Sequence, residues 1–335
     1  MSLATTHNAS APPEARGLDR DEVRLLVAGR SLTDTEFHAL PAFLEPGDLV
    51  VVNRSATLAA AVDGRRQDGS EVVVHFATAR DDGSWVVEVR PPGRSSGPVP
   101  DVRVGERIAL PSGAWLAVLE TLPDQVRLHR VQVALEGPLT ALLERYGRPI
   151  AYGYVPERWP LTAYQTVFAT EPGSAEMPSA GRPFTPRTVV DLARRGVLLA
   201  PITLHTGVSS PEPGEPPNPE RYDVPATTAA LVNDVRDRGG RVVAVGTTVT
   251  RALETVAAED GTVAAGRGWT DLVLGVDRPA RVVTGLLTGW HEPGGSHVHL
   301  LEAVAGQDLV ARAYAAAVAR GYLWHEFGDS CLLLP

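Results

Sequence analysis

The stretch AVGTTVTRALE, residues 244–254, reads as a strand that runs through a polar turn into a helix. Upstream, PATTAALVNDVRDRGG (225–240) is a helix closed by a glycine pair, and RVVAVG (241–246) is the apolar strand that follows it. Downstream come two expected strands, TDLVLGV (270–276) and ARVVTGLLTG (280–289), and a late helix, DLVARAYAAAVARG (308–321). Further back, FTPRTVVDLARRG (184–196) has Thr185 as N-cap, Pro186 at the first helical position and Gly196 as the stop, and VLLAPITLHTG (197–207) is a buried strand. Alternating strands and helices argue for a layered α/β domain. VRLLVA (23–28) and FLEPGDLVVVN (43–53) supply earlier strands, and FGDSCLLLP (327–335) the last one, with Cys331 in its core.

Residues 57–136 follow another pattern. LAAAVDGRR, EVVVHFATA, SWVVEVRP, VRVGERIAL, AWLAVLET and VRLHRVQVAL are short β-branched runs, parted by Asp68-Gly69, Asp82-Gly83, Ser112-Gly113 and Pro123-Asp124. Six strands at this spacing suggest a small antiparallel barrel. The expected fold is therefore an α/β domain, 18–56 plus 137–335, with an inserted six-stranded β-barrel at 57–136 and a disordered tail at 1–17. Residues 208–221 read as a Pro-rich binding loop.

The chain has 335 residues, too long for one ordinary core. No apolar run approaches the roughly 20 residues of a membrane span, and the N-terminus lacks the apolar segment of a secretory signal. One cysteine leaves no intramolecular disulfide and no Cys-cluster zinc site. A cytoplasmic protein is expected. The net charge is −9 and no linear basic stripe is visible, which favours a small-molecule substrate over nucleic acid.

A helix N-terminus attracts anions, so the turn at 246–248 is a candidate anion site, with Thr247 and Thr248 as hydroxyl donors and Arg251 as a planar fork for a carboxylate. The alternative is a capped helix with a surface arginine. His205 ends a strand just before a glycine, on the edge where α/β sheets bind ligands, and can move protons near neutral pH, unless it is structural. Ser179, Ala180 and Gly181 permit close backbone approach, or simply connect two elements. In GWHEPGGSHVHLLEA (289–303), His291 beside the Pro-Gly-Gly loop is an acid/base candidate. His297 and His299 cannot share a helix face, so no metal is expected. Asp329 could orient a histidine or hold a ribose hydroxyl, or be a turn acid.

The segments EPGDLVVVN, AYQTVFATEPGSAEMPSAGRPFT, TLHTG, ERYDV, GGRVVAVGTTVTRALE, GWHEPGGS and AYAAAVARGYLWHEFGDSCLL occur in the order found in the S-adenosylmethionine:tRNA ribosyltransferase-isomerases of queuosine biosynthesis, and the chain resembles that family from about residue 20 to 334. The resemblance implies an α/β domain with an inserted barrel. It implies S-adenosylmethionine as co-substrate, with its ribosyl group transferred and isomerised onto the aminomethyl arm of a deazaguanine in tRNA, and adenine and methionine released. On that mapping Thr247, Thr248 and Arg251 hold the methionine carboxylate, and His205 and His291 are the loop histidines of an acid/base pair. Tyr164 and Gln165 match the Tyr-Gln-Thr-Val segment, Gly181 and Phe184 the small-residue loop, Glu220 and Tyr222 the Glu-x-Tyr motif, and Asp329 the terminal Gly-Asp. Glu220 could also favour the sulfonium. The acceptor side departs from the family: Ala56 and Ala61 stand where two arginines are usual, and Arg182-Pro183 replaces Leu-His. Lost arginines and an acidic balance weaken tRNA as partner, so two other readings stand beside it. One is cleavage or transfer from S-adenosylmethionine with a small acceptor or none. The other is a non-catalytic S-adenosylmethionine-binding module.

Overall fold

Alternation of buried apolar side chains sets the main layer. In LVVVN (49–53) every residue is buried: Leu49 and Val51 join one apolar cluster, Val50 and Val52 another. Such a strand must be covered on both faces, as in a parallel α/β sheet. A computed structural model gives this arrangement and describes residues 7–93, 97–208, 218–292 and 296–335.

In chain order the strands before the barrel are β1 (His7–Asn8), β2 (Arg24–Ala28), β3 (Leu32–Glu36), β4 (Leu49–Asn53) and β5 (Ser55–Thr57). The barrel strands are β6 (Ala61–Arg66), β7 (Glu71–Ala79), β8 (Trp85–Arg90), β9 (Arg107–Ala109), β10 (Trp115–Leu122) and β11 (Gln125–Ala134). After it come β12 (Glu171–Ser174), β13 (Leu198–His205), β14 (Glu220–Val224), β15 (Val242–Val245), β16 (Gly266–Thr270), β17 (Gly285–Gly289), β18 (Leu323–Trp324) and β19 (Ser330–Leu333). The helices are α1 (Leu139–Tyr146), α2 (Pro186–Arg194), α3 (Ala226–Asp237), α4 (Thr247–Thr255), α5 (Ser296–Ala305) and α6 (Gln307–Ala319).

Nine strands form one mixed sheet in the order β16-β14-β13-β4-β15-β17-β19-β2-β3. Its centre, β13-β4-β15-β17, is parallel, while β14 and β19 run against their neighbours β13 and β17. Side chains of α3, α4, α5 and α6 cover one face, and those of α2 and the 37–43 turn the other. The second unit is a closed barrel, β10-β11-β8-β7-β6-β9, with its own apolar core. The layered α/β sheet with an antiparallel barrel between its early and late strands is the fold class expected from the sequence. The short parallel pair β5-β12 brings the chain into and out of the barrel region.

Two expectations need correction. Residues 7–16, assigned to a disordered tail, are folded: β1 pairs in parallel with β18, and Ala9 is buried. They pack because Arg16 donates to the Phe327 carbonyl at 2.9 Å and Glu14 reaches the buried Arg182 at 2.8 Å. The run TDLVLGV is not a strand. The strand is Gly266–Thr270, and the Thr270 hydroxyl then accepts from the Leu272 amide at 3.2 Å, turning the chain off the sheet edge. The cap of α2 is as expected, with Thr185 Oγ1 accepting from the Thr188 amide at 3.1 Å.

Candidate active site on the carboxyl edge of the sheet

Parallel strands β4, β13, β15 and β17 end on the same edge, so Asn53, His205, Gly246 and the Gly289–His291 segment lie along it. The antiparallel β19 and β14 begin there, which adds Asp329 and Glu220. This is the edge at which open α/β sheets take ligands.

His205 is held at Nδ1 by Ser55 Oγ at 2.7 Å, and Ser55 meets Ser174 Oγ at 2.6 Å. Ser174 Oγ accepts from the Thr206 amide at 3.0 Å. The two hydroxyls can point either way, so they serve either imidazole tautomer: Nδ1 donates while Nε2 accepts a proton, or the reverse. Gly173 packs so close that a Cβ there would lie 2.4 Å from the ring, so only glycine leaves room for this histidine. Burial, and then the Arg221 charge, push the His205 pKa down and keep it neutral near pH 7.

Asn53 connects this histidine to the start of α4. Its Nδ2 donates to the Leu204 carbonyl at 2.8 Å and lies 3.4 Å from Thr248 Oγ1, while its Oδ1 accepts from the Ser55 and Leu204 amides. Thr247 and Thr248 are half-buried, and no side chain caps the helix. The first amides of α4 therefore have no intrahelical partner and present the positive end of the dipole. Gly246 takes φ of 91°, and Ala180 of the 179–181 turn packs against it.

Arg251 is not part of that mouth. It is 8% exposed and forms an ion pair with Glu220. Its other nitrogens donate to the carbonyls of Leu272 and Thr270 at 3.1 Å each. One turn into α4 the side chain points toward β14 and β16, so the fork expected for a carboxylate is already filled. Glu220 is half-buried beside it and also accepts from the Gly207 amide, and burial pushes its pKa up.

Several other residues expected at the site have partners within the fold. Gln165 accepts from the Thr57 amide and donates to the Thr57 carbonyl, so its whole amide pins β5. Tyr164 is buried, with its ring 5.1 Å from Phe327 and its carbonyl accepting from the Thr57 hydroxyl. Phe184 is fully buried between Phe37 and Phe168, away from solvent. Tyr222 lies across Gly266 and Gly268 of the neighbouring strand. Gly181 is buried beside Thr166. Asp329 accepts from the Arg24 and Leu323 amides, one per oxygen, and so holds the 323–329 turn.

His291 stays at the edge. Its ring lies 3.9 Å from that of His297, and burial followed by the His325 charge pushes its pKa down to about 4. His299 is exposed and meets Glu302, so it shares nothing with His297. Among the described residues no group of three or more His, Cys, Asp or Glu is arranged to hold a metal ion, and no helix is long and apolar enough to cross a membrane. Ser179 lines a small cavity with Gly289, His325, Glu326 and Asp329. Asn53, Ser55 and Ser174, which support the end of β13, and Glu326, which lines that cavity, are not among the residues expected from the sequence. The end of β4 at Asn53 was the one usable signal, since that strand, like the one carrying His205, had to finish on the ligand edge.

A family described as queuosine biosynthesis protein matches residues 2–333. The chain belongs to that family. Curated relatives named S-adenosylmethionine:tRNA ribosyltransferase-isomerase include those of Moorella thermoacetica (38% identical, 94% of each chain covered) and Thermus thermophilus (36%, covering 96% of this chain and 97% of the relative). The solved S-adenosylmethionine tRNA ribosyltransferase of Thermotoga maritima is 25% identical, with a TM-score of 0.51 over 99% of this chain and 96% of that one. The queuosine family is thus one of transferase-isomerase enzymes, as the motifs implied.

Proposed function

We propose that this queuosine-family protein binds S-adenosylmethionine along the carboxyl edge and moves its ribosyl group onto the aminomethyl arm of a deazaguanine in tRNA, releasing adenine and methionine. One observation carries the reading: His205, backed by the Ser55–Ser174 hydroxyl pair, stands one asparagine away from the open start of α4. The methionine carboxylate would take the amides and hydroxyls of Thr247 and Thr248. The sulfonium acidifies the 5′ carbon. His205 Nε2 removes that proton while Nδ1–H donates to Ser55, and the electron density left behind expels adenine. His291, kept neutral beside the same edge, is the second proton carrier.

A specific feature favours a small acceptor as second reading. Three arginines near this edge face carboxylates of the same chain: Arg54 and Arg267 share Asp223 at 3.9 and 3.1 Å, and Arg221 faces Asp81 at 3.2 Å. One assay separates the readings. The protein is incubated with S-adenosylmethionine, with and without tRNA bearing the aminomethyl deazaguanine, and adenine and methionine are followed by mass spectrometry. Release that requires the tRNA supports the first reading, and release without it the second. Binding without release sinks both. His205→Gln should lower release by about 100-fold or more, and undiminished release would remove His205 from the mechanism.

A further inference from the structure

Adenine departs readily only if one of its ring nitrogens gains a proton as the bond to the sugar breaks. Glu326 is placed to supply one. It sits in the turn between β18 and β19, next to His325, whose backbone adopts φ of 69° without being glycine. That conformation is uncommon outside glycine, and such positions cluster where a side chain must be held in a working place. Glu326 and His325 wall the same small cavity as Ser179 and Gly289. Ala180, adjacent to Ser179, touches the start of α4 at Gly246.

The Tyr154 hydroxyl donates to Glu326 Oε2 at 2.5 Å. The Tyr154 ring stacks on His325 at 4.3 Å and on Tyr152 at 5.9 Å. Tyr152 in turn donates to Glu176, and the Glu176 carbonyl accepts from Thr206, the neighbour of His205. A continuous wall therefore runs from His205 to Glu326 around the edge that holds the α4 start. Burial, with the Glu176 charge nearby, pushes the Glu326 pKa up to about 7, so a large share carries a proton at neutral pH. Among the described residues no cation is paired with it.

We propose that Glu326, held by Tyr154 and flanked by His325, is the acid that protonates the departing purine. The Glu326 O–H bond breaks and an N–H bond forms on the base. The electrons of the sugar–nitrogen bond move onto the purine, and the carboxylate left behind keeps the Tyr154 hydrogen bond. This rests on the reading that the site cleaves S-adenosylmethionine.

The test is adenine release from S-adenosylmethionine, with the acceptor that supports turnover, followed as kcat/KM from pH 5.5 to 9. The acid must be protonated, so wild-type kcat/KM should fall above about pH 7. Glu326→Gln should lose about 100-fold and also lose that alkaline limb. Tyr154→Phe keeps the stacked ring but removes the donor that stabilises the carboxylate, so its limb should move to higher pH. A merely structural role would not move the limb, and should Glu326→Gln fail to fold, Tyr154→Phe decides. Glu326→Gln within twofold of wild type, or an unmoved limb in Tyr154→Phe, overturns the proposal while release by wild type keeps the parent reading standing. No release by wild type under any condition overturns both.

Discussion

Arg251 shows what one residue can and cannot disclose. Its place one turn into a helix is plain from TTVTRALE, and an arginine there suggests an anion. Its partner Glu220 is 31 positions away and meets it only because β14 runs back along β13. With both side chains largely shielded from solvent, the pair is weak evidence for stability, but breaking it leaves a carboxylate uncompensated. Arg251→Met should therefore cost about 3 kcal/mol of unfolding free energy, read from urea midpoints at constant slope. The double variant Glu220→Gln/Arg251→Met should recover most of that loss. A single variant as stable as wild type would show that the Arg251–Glu220 contact is not formed. The same limit hid Ser55 and Ser174, which lie 119 residues apart and meet only on the finished fold.

At the scale of elements, local patterns were legible where an element's own residues decide it. The Thr185-Pro186 start of α2, the apolar runs of β4 and β13, and the barrel strands each announce themselves through caps, β-branched runs or turn glycines. Elements that owe their shape to a distant partner did not. The run after Thr270 has strand composition, but the Thr270 hydroxyl turns it off the sheet. Segment 7–16 has no apolar periodicity and folds only because the 323–329 turn receives it. That segment holds the site from behind: Glu14 pairs with Arg182, which donates to the Ala163 carbonyl at 2.9 Å and lies 5.1 Å over the Phe327 ring. Removing residues 1–16 should strip the cover from the 179–184 and 323–329 turns together. Limited digestion with a nonspecific protease should then give early cuts in both, mapped by mass spectrometry, with a melting temperature lowered by several degrees. Unchanged protection of both turns would show that the segment is dispensable for the site.

Over the whole molecule, the barrel and the sheet are locked at the same edge that carries His205. The β7–β8 turn reaches β14 and β16: Arg80 lies 4.9 Å over the Trp269 ring, Trp269 donates to Asp81 at 2.7 Å, and Arg221 meets Asp81. Arg54, Arg221 and Arg267, which could meet a phosphate backbone beside the candidate site, thus face acids of the same chain, within a net charge of −9. Each phosphate neutralised by a protein cation contributes close to one unit to the slope of log K against log salt, so matched cations should leave that slope shallow. Binding of the modified tRNA, followed by fluorescence anisotropy between 50 and 200 mM salt, should give a slope of magnitude below about 3. Asp81→Ala frees Arg221, and should steepen the slope by about one unit and tighten binding at low salt. A wild-type slope of about six or more would mean that these ion pairs open to take phosphates, which would favour the tRNA acceptor over the small one. A shallow slope that Asp81→Ala leaves unmoved would place the nucleic acid, if it binds at all, away from this edge.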